Sequence, residues 1–173
     1  MLCQNLLRAL RIRISDMLKP LVTEKLAVGP SHDWGGLSLT DLKKEGITAV
    51  VDLNQERKEA NEASKIGLVY VADSKLRIPD DFEPIPIYTL RYAAAKIHQL
   101  VSQGHYVYLH CSASFGRSPT IAAAYLIYQG KEMNEAMNMV KSVQLNAWHG
   151  ENMKFAALLG EFEKTYRENC FSK

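Results

Sequence analysis

"HYVYLHCSASFGRSPTIAAAYLIYQ", residues 105–129, is the stretch whose reading decides the fold. Its opening, "HYVYLH" (105–110), is β-branched, aromatic and apolar, and reads as a strand. From Ser118 onward, "SPTIAAAYLIYQ" is apolar on nearly all sides, which marks a buried central helix. Between them lie mostly small residues, with a thiol at Cys111 and a guanidinium at Arg117. A strand, a small-residue turn and a helix N-terminus make a ready anion site. The amides of Ser112, Ala113, Ser114, Phe115, Gly116 and Arg117 are expected to point inward as a backbone nest. The helix adds the positive end of its dipole. Pro119 falls near the first turn, where its missing N–H costs nothing, and Ser118 is expected at or near the cap.

Arg117 brings a planar fork that binds two phosphate oxygens at once. Cys111 lies at the base of the same loop. A free thiol is only a few per cent ionised at neutral pH. The loop amides, the guanidinium and the helix dipole all favour its thiolate. The hydroxyl of Ser118 is placed to donate to the sulfur and ease its departure, and His110 to fix the loop through backbone bonds. Phe115, at the loop tip, either touches substrate or packs. The chemistry implied is phosphoryl transfer to Cys111 followed by hydrolysis. A chance C-x5-R-[ST] in a chain of this composition is on the order of 1%, and the flanking strand and helix supply the context that such a motif needs.

Outward from this stretch, strands and helices alternate. "EKLAVG" (24–29), "ITAVVDLN" (47–54) and "GLVYVAD" (67–73) read as strands, the second so evenly apolar that a buried parallel strand is expected. "SLTDLKKEG" (38–46) reads as a short helix, and "ERKEANEASKIG" (56–67) as charged loop or helix. The proline-rich "SKLRIPDDFEPIPIY" (74–88) reads as a loop. Helices are expected over 88–103, 134–143 and 152–166. The fold class is therefore α/β: a central, mostly parallel sheet flanked by helices on both faces.

The chain has 173 residues, enough for one domain with one sizeable core. Its net charge of +2 comes from 21 basic and 19 acidic residues, which gives no footprint for nucleic acid. Three cysteines, Cys3, Cys111 and Cys170, form no paired framework, so a reducing, cytoplasmic setting is expected. No apolar run is long enough to span a bilayer. The first 20 residues carry Leu2, Leu6, Leu7, Leu10, Ile14 and Met17 at mostly helical spacing, interleaved with Arg8, Arg11 and Arg13. They read as an extra amphipathic helix packed on or appended to the domain. A mitochondrial targeting segment or a membrane-surface helix is the alternative. Residues 21–173 form the single domain, expected as a monomer.

The sequence resembles the cysteine-dependent protein tyrosine phosphatase superfamily, and its atypical dual-specificity members in particular. "HCSASFGRSPT" (110–120) matches their H-C-x5-R-[ST] signature, and "TEKLAVG" (23–29) and "GITAVVDLN" (46–54) look like the family's first strand and its helix-to-strand entry. The resemblance covers about residues 22–165. It implies a dual-specificity-like fold, no metal or other cofactor, and a shallow-to-moderate pocket with Cys111 as nucleophile and Arg117 as phosphate ligand. It also implies a general acid on a loop about thirty residues before the cysteine. In "RIPDD" (77–81) that role falls to Asp80, with Asp81 as rival and Asp73 third. Many members carry glycine where this chain has Ser114, which sets serine at a position suited to φ > 0. His32, Asp33 and Trp34, in "GPSHDWGG" (29–36), either line the pocket rim or form a turn with a packed tryptophan. The expected substrate is a phosphorylated protein, on phosphotyrosine, with action on phosphoserine and phosphothreonine left open. The alternatives are a phospholipid, a phosphoglucan, an RNA 5′ end, or phosphate recognition without turnover. The absence of lysine from the loop disfavours phosphoinositides.

Overall fold

The computed structural model describes residues 25–54, 58–79 and 84–171. The amphipathic segment 1–20, Asp80 and Asp81 lie outside the described residues.

Four strands form the sheet: β1 (Leu26–Pro30), β2 (Ala49–Asp52), β3 (Val69–Val71) and β4 (Val107–Cys111). Their spatial order is β1-β4-β2-β3, and every pairing is parallel. β2 and β4 are central and buried throughout, as their apolar runs require, with Asp52 and His110 buried at their C-terminal ends. β3 lies at the edge, so only three of the seven residues in "GLVYVAD" pair, and Val69 is exposed.

Side chains alternate between the two faces. Ala27, Val50 and Tyr108 face the short helices α1 (Leu39–Lys44) and α2 (Lys58–Lys65), which cover that side with Leu39, Leu42 and Ala63. The charged segment 56–67 thus contains a helix, anchored by one fully buried small residue, Ala63. Leu26, Val28, Ala49, Val51, Val107 and Leu109 face the larger core. Four helices cover that side: α3 (Ile87–Ser102), α4 (Arg117–Tyr128), α5 (Met133–Val143) and α6 (Met153–Phe171). α4 is buried from Arg117 to Ile127, in keeping with its lack of a polar face. It packs against α3, α5 and α6, and its N-terminus meets the end of β4.

The turn after β1 is packed backbone to backbone. A Cβ on Gly36 would fall 2.1 Å from the carbonyl oxygen of Pro30 and 2.8 Å from that of Ser31. Neither atom is free to yield, since Ser31 is hydrogen-bonded through its own N–H to Cys111 O at 3.1 Å and to Ser112 O at 2.8 Å. Gly36→Ala is expected to destabilise the protein by about 2–3 kcal/mol, the usual scale of overpacking. Thermal denaturation should show a drop in Tm of roughly 5–10 °C.

Candidate active site

The parallel sheet collects the C-terminal ends of its strands at one edge, the usual place for a site in such folds. Register then pairs the residues. Pro30 stands opposite Cys111, and Asp52 opposite His110. Alternation sends Cys111 toward the large core and α4, whereas His110 and Asp52 lie on the face of Val50 and Tyr108.

Cys111 is the last residue of β4 and is 2% exposed. Its Sγ lies 3.3 Å from Ser118 Oγ. A cavity of about 150 Å³ opens above it, lined by Cys111, Ala113, Ser114, Phe115, Gly116, Arg117 and Asn152. Phe115 is exposed at the mouth. Ser112 turns its hydroxyl aside, where it accepts a hydrogen bond from Arg117 Nη2 at 3.0 Å. Ser118 lies near the cap of α4, not at it. The N-cap residue of α4 is Gly116, and Ser118 lies inside the first turn. Thr120 N–H donates to Gly116 O at 3.0 Å, which starts the helix early and frees the Ser118 hydroxyl for the sulfur.

Ser114 has φ 61°, the left-handed conformation that the resemblance led us to expect at this position. For a non-glycine residue that conformation costs about 1–2 kcal/mol. The buried side chain recovers part of it through two hydrogen bonds, 2.9 Å to Ser118 Oγ and 2.9 Å from Gln144 Nε2.

The Arg117 side chain is buried and held on several sides. Nη1 donates to Asn54 Oδ1 and to the carbonyl of Ile78, both at 2.9 Å. Ile78 precedes Asp80 by two positions, so the guanidinium is tied to the segment that leads to that aspartate. Asp73, the third acid candidate, is engaged elsewhere. Its carboxylate accepts from Tyr92 Oη and, at 2.9 Å, from Lys75 N–H, capping the turn at Ser74–Leu76. Those hydrogen bonds, Tyr92 first, hold its carboxyl below the usual carboxylate range. A group kept ionised in this way is a poor proton donor.

His110 is buried, and its Nδ1 lies 3.2 Å from the carbonyl of Cys111. Since a carbonyl only accepts, Nδ1 carries the proton. The same nitrogen is 3.8 Å from Asp52 Oδ1. Asp52, fully buried, accepts from Asn54 N–H at 2.7 Å and from Tyr70 Oη at 3.0 Å. Burial, followed by the Asp52 and Glu59 carboxylates, drives the Tyr70 phenol far above its ordinary range, so it remains a donor. Tyr108 behaves alike: burial, with a contribution from Cys111, raises it, and its hydroxyl donates to Pro30 O at 2.8 Å.

The connection from α5 to α6 braces the far side of the loop. Trp148, buried and at φ 57°, donates its N–H to Phe115 O at 2.7 Å and its Nε1–H to Thr120 Oγ1 at 2.9 Å. Phe155 and Asn152 press on Gly116 so closely that a Cβ there would lie 2.5–2.6 Å from their side chains. Asn54, Asp52, Gln144, Trp148 and Asn152 were not foreseen from the sequence. The available signal was polar residues ending a buried strand in "DLN" (52–54) and a non-periodic polar stretch in "QLNAWHGEN" (144–152).

His32, Asp33 and Trp34 form a short 3-10 turn after β1. They are not among the residues lining the Cys111 cavity, and Trp34 is 63% exposed rather than packed. What reaches the site from this turn is backbone, through the Ser31 N–H. Among the described residues, no three His, Cys, Asp or Glu side chains gather as a metal site, and no helix is long and apolar enough to cross a membrane.

The model of a family described as "Dual specificity phosphatase, catalytic domain" matches residues 33–165. No curated protein matches the chain in sequence. Among solved structures, Tk-PTP in its active form is 25% identical, with a TM-score of 0.65 over 81% of this chain and 92% of its own. Human DUSP28 is 20% identical, with a TM-score of 0.70 over 87% and 98%. PTPMT1 in complex with PI(5)P is 17% identical, with a TM-score of 0.65 over 88% and 97%.

Proposed function

Because the chain belongs to the dual specificity phosphatase family, we propose that it hydrolyses phosphate monoesters in two steps through a phosphocysteine at Cys111. One observation carries the reading: the Cys111 sulfur lines the floor of a small cavity that Arg117 shares, at the end of a parallel strand and the start of a buried helix. In the first step Sγ attacks phosphorus and the P–O ester bond breaks. The leaving oxygen takes a proton from Asp80. In the second step water attacks phosphorus, its proton passes to the Asp80 carboxylate, and the P–S bond breaks. The loop amides and Arg117 hold the equatorial oxygens, so positioning and charge stabilisation supply most of the rate. Ser118 donates to the departing sulfur, and His110 orients the loop base through the Cys111 carbonyl. The residues from Ser112 to Gly116 form the phosphate cradle.

For the substrate we propose phosphorylated proteins, phosphotyrosine first. A cavity of about 150 Å³ suits one phosphate and the start of its ester group. The exposed ring of Phe115 gives an aromatic leaving group a wall to lie on. The loop has one guanidinium and no lysine, which suits a single phosphate rather than a polyphosphorylated head group.

The test is hydrolysis of an aryl phosphate with chelator present and inhibition by vanadate, followed by a panel of phosphopeptides, phospholipids, phosphoglucan and RNA 5′ ends. Preference for phosphotyrosine peptides is expected, and preference for another arm replaces the substrate reading while leaving the chemistry. Asp80→Asn should lower kcat on alkyl esters by roughly 10²-fold or more and flatten the acid–base profile, with Asp81→Asn near the parent protein. The reverse order would move the acid to Asp81.

A further inference from the structure

The family chemistry accounts for Ser118 beside the sulfur, but not for the two groups lined up behind it. Gln144 Nε2 is 2.9 Å from Ser114 Oγ, Ser114 Oγ is 2.9 Å from Ser118 Oγ, and Ser118 Oγ is 3.3 Å from Cys111 Sγ. All three downstream residues are buried. The direction of the chain follows from its far end. Gln144 Nε2 also lies 3.4 Å from the carbonyl oxygen of Val28. That oxygen only accepts, and the reversed amide would set two carbonyl oxygens against each other. The amide nitrogen therefore faces both neighbours and donates to Ser114. Ser114 is buried, and among the described residues the acceptor in reach of its own proton is Ser118 Oγ, so Ser114 donates to Ser118, and Ser118 sends its proton on to the sulfur. Gln144 itself is fixed by its backbone, since it closes α5 with its N–H on Val140 O at 2.8 Å.

We propose that Gln144 is a positioning residue that orders a one-way chain of hydroxyls, Ser114 then Ser118, whose last proton is aimed at the Cys111 sulfur. The inference rests on the reading of Cys111 as the nucleophile. It explains what a serine does in the family's glycine position, since a glycine there takes the left-handed backbone freely but passes no proton on. Without Gln144, Ser114 can accept in place of donating, and Ser118 is free to turn its proton toward Ser114 and away from the sulfur; without the Ser114 hydroxyl, Ser118 loses the donor that fixes its rotor. The step most exposed to that loss is the second. During attack, a hydrogen bond to the thiolate stabilises it but also lowers its nucleophilicity, so the effects partly cancel. When the P–S bond breaks, charge grows on sulfur and the hydrogen bond acts on the transition state alone.

The experiment compares Ser114→Gly, Gln144→Leu and the double variant in the full chain. Each single variant is expected to lose about three- to tenfold in kcat, with kcat/KM changing less, in line with a weakened hydrogen bond to a charged group. Rapid mixing with an aryl phosphate should show a burst of phenolate, because phosphocysteine now accumulates. The double variant should be no slower than the worse single one, since both break the same chain. A second measurement needs no turnover. The ultraviolet signal of the Cys111 thiolate at one fixed pH, read against Cys111→Ser, should weaken in each variant, since a hydrogen bond to the charged sulfur is lost. Kinetic constants that fall together without a burst, or losses that multiply in the double variant, overturn the relay. A thiolate signal unmoved in both variants also overturns it. If the parent protein forms no phosphocysteine, the phosphatase reading fails and the thiolate signal alone decides the relay.

Discussion

Cys111→Ser is expected to keep its fold and lose turnover by a factor on the order of 10⁴ or more, the scale on which removal of a catalytic nucleophile is felt. The sulfur sits in a buried pocket whose walls are fixed by other groups: Ser118 Oγ beside it, the Ser31 N–H on its own carbonyl, and His110 on the same carbonyl. A serine hydroxyl fits that space and accepts the same bond from Ser118, so circular dichroism and Tm should match the parent. Ionisation is what it lacks. A hydroxyl is almost wholly protonated at neutral pH, and among the described residues the side chain hydrogen-bonded to Cys111 Sγ is Ser118, itself a hydroxyl. The cradle of loop amides and Arg117 is untouched, so calorimetry should still detect tungstate. Hydrolysis of an aryl phosphate at the parent rate by this variant would remove Cys111 from the mechanism. Retained oxyanion binding without turnover is also the property that separates an enzyme from a phosphate-recognition module, because in a module the parent protein would behave as the variant does.

The parts of the site that were legible in the sequence are those the chain makes locally. Cys111, Ser114, Arg117 and Ser118 sit within one strand–turn–helix, so their spacing alone predicts a shared anion loop. The sheet was legible because β2 and β4 are apolar up to their C-terminal ends and helices fall between the strands. The rest comes from far along the chain. Asn54 reaches Arg117 across 63 residues, Ile78 across 39, and Gln144 reaches Ser114 across 30. Strand order and the path of the α5–α6 connection bring these together, and no local period encodes either. Trp34 misled for a related reason. A tryptophan in a turn suggests packing or a rim, but the turn is locked by backbone contacts at Ser31 and Gly36, and its side chains point to solvent. Ser118 was expected at or near the cap of α4 because hydroxyl residues cap helices so often, and it lies near the cap rather than at it. Here a glycine pressed between Phe155 and Asn152 begins the helix, and the serine is left for chemistry.

Arg117→Ala is expected to fail in a different way from the cysteine variant, and the contrast tests the architecture of the site. Its turnover should fall on the order of 10³-fold or more, the worth of an arginine placed at a transferring phosphoryl group. Unlike Cys111→Ser, it should also lose tungstate binding, since the fork that grips the oxyanion is gone. Stability should suffer too. The guanidinium is 4% exposed and satisfies Asn54 Oδ1, the Ile78 carbonyl and Ser112 Oγ. The buried Ile78 carbonyl left without a donor costs about 1–3 kcal/mol, and the half-buried Asn54 and Ser112 add less. Because one of those acceptors belongs to the segment leading to Asp80, the variant should also loosen that segment, and limited proteolysis near Arg77 should quicken. Arg117→Lys separates the two roles. A single ammonium keeps the charge but cannot bridge Asn54, Ile78 and Ser112 at once. It should therefore recover part of the oxyanion affinity while remaining at least about 10²-fold below the parent in kcat, because the transition state needs the planar fork and not the charge alone. Parent-like kcat in Arg117→Lys would show that Arg117 acts as a point charge. Parent-like tungstate affinity in Arg117→Ala would move phosphate recognition onto the loop amides entirely.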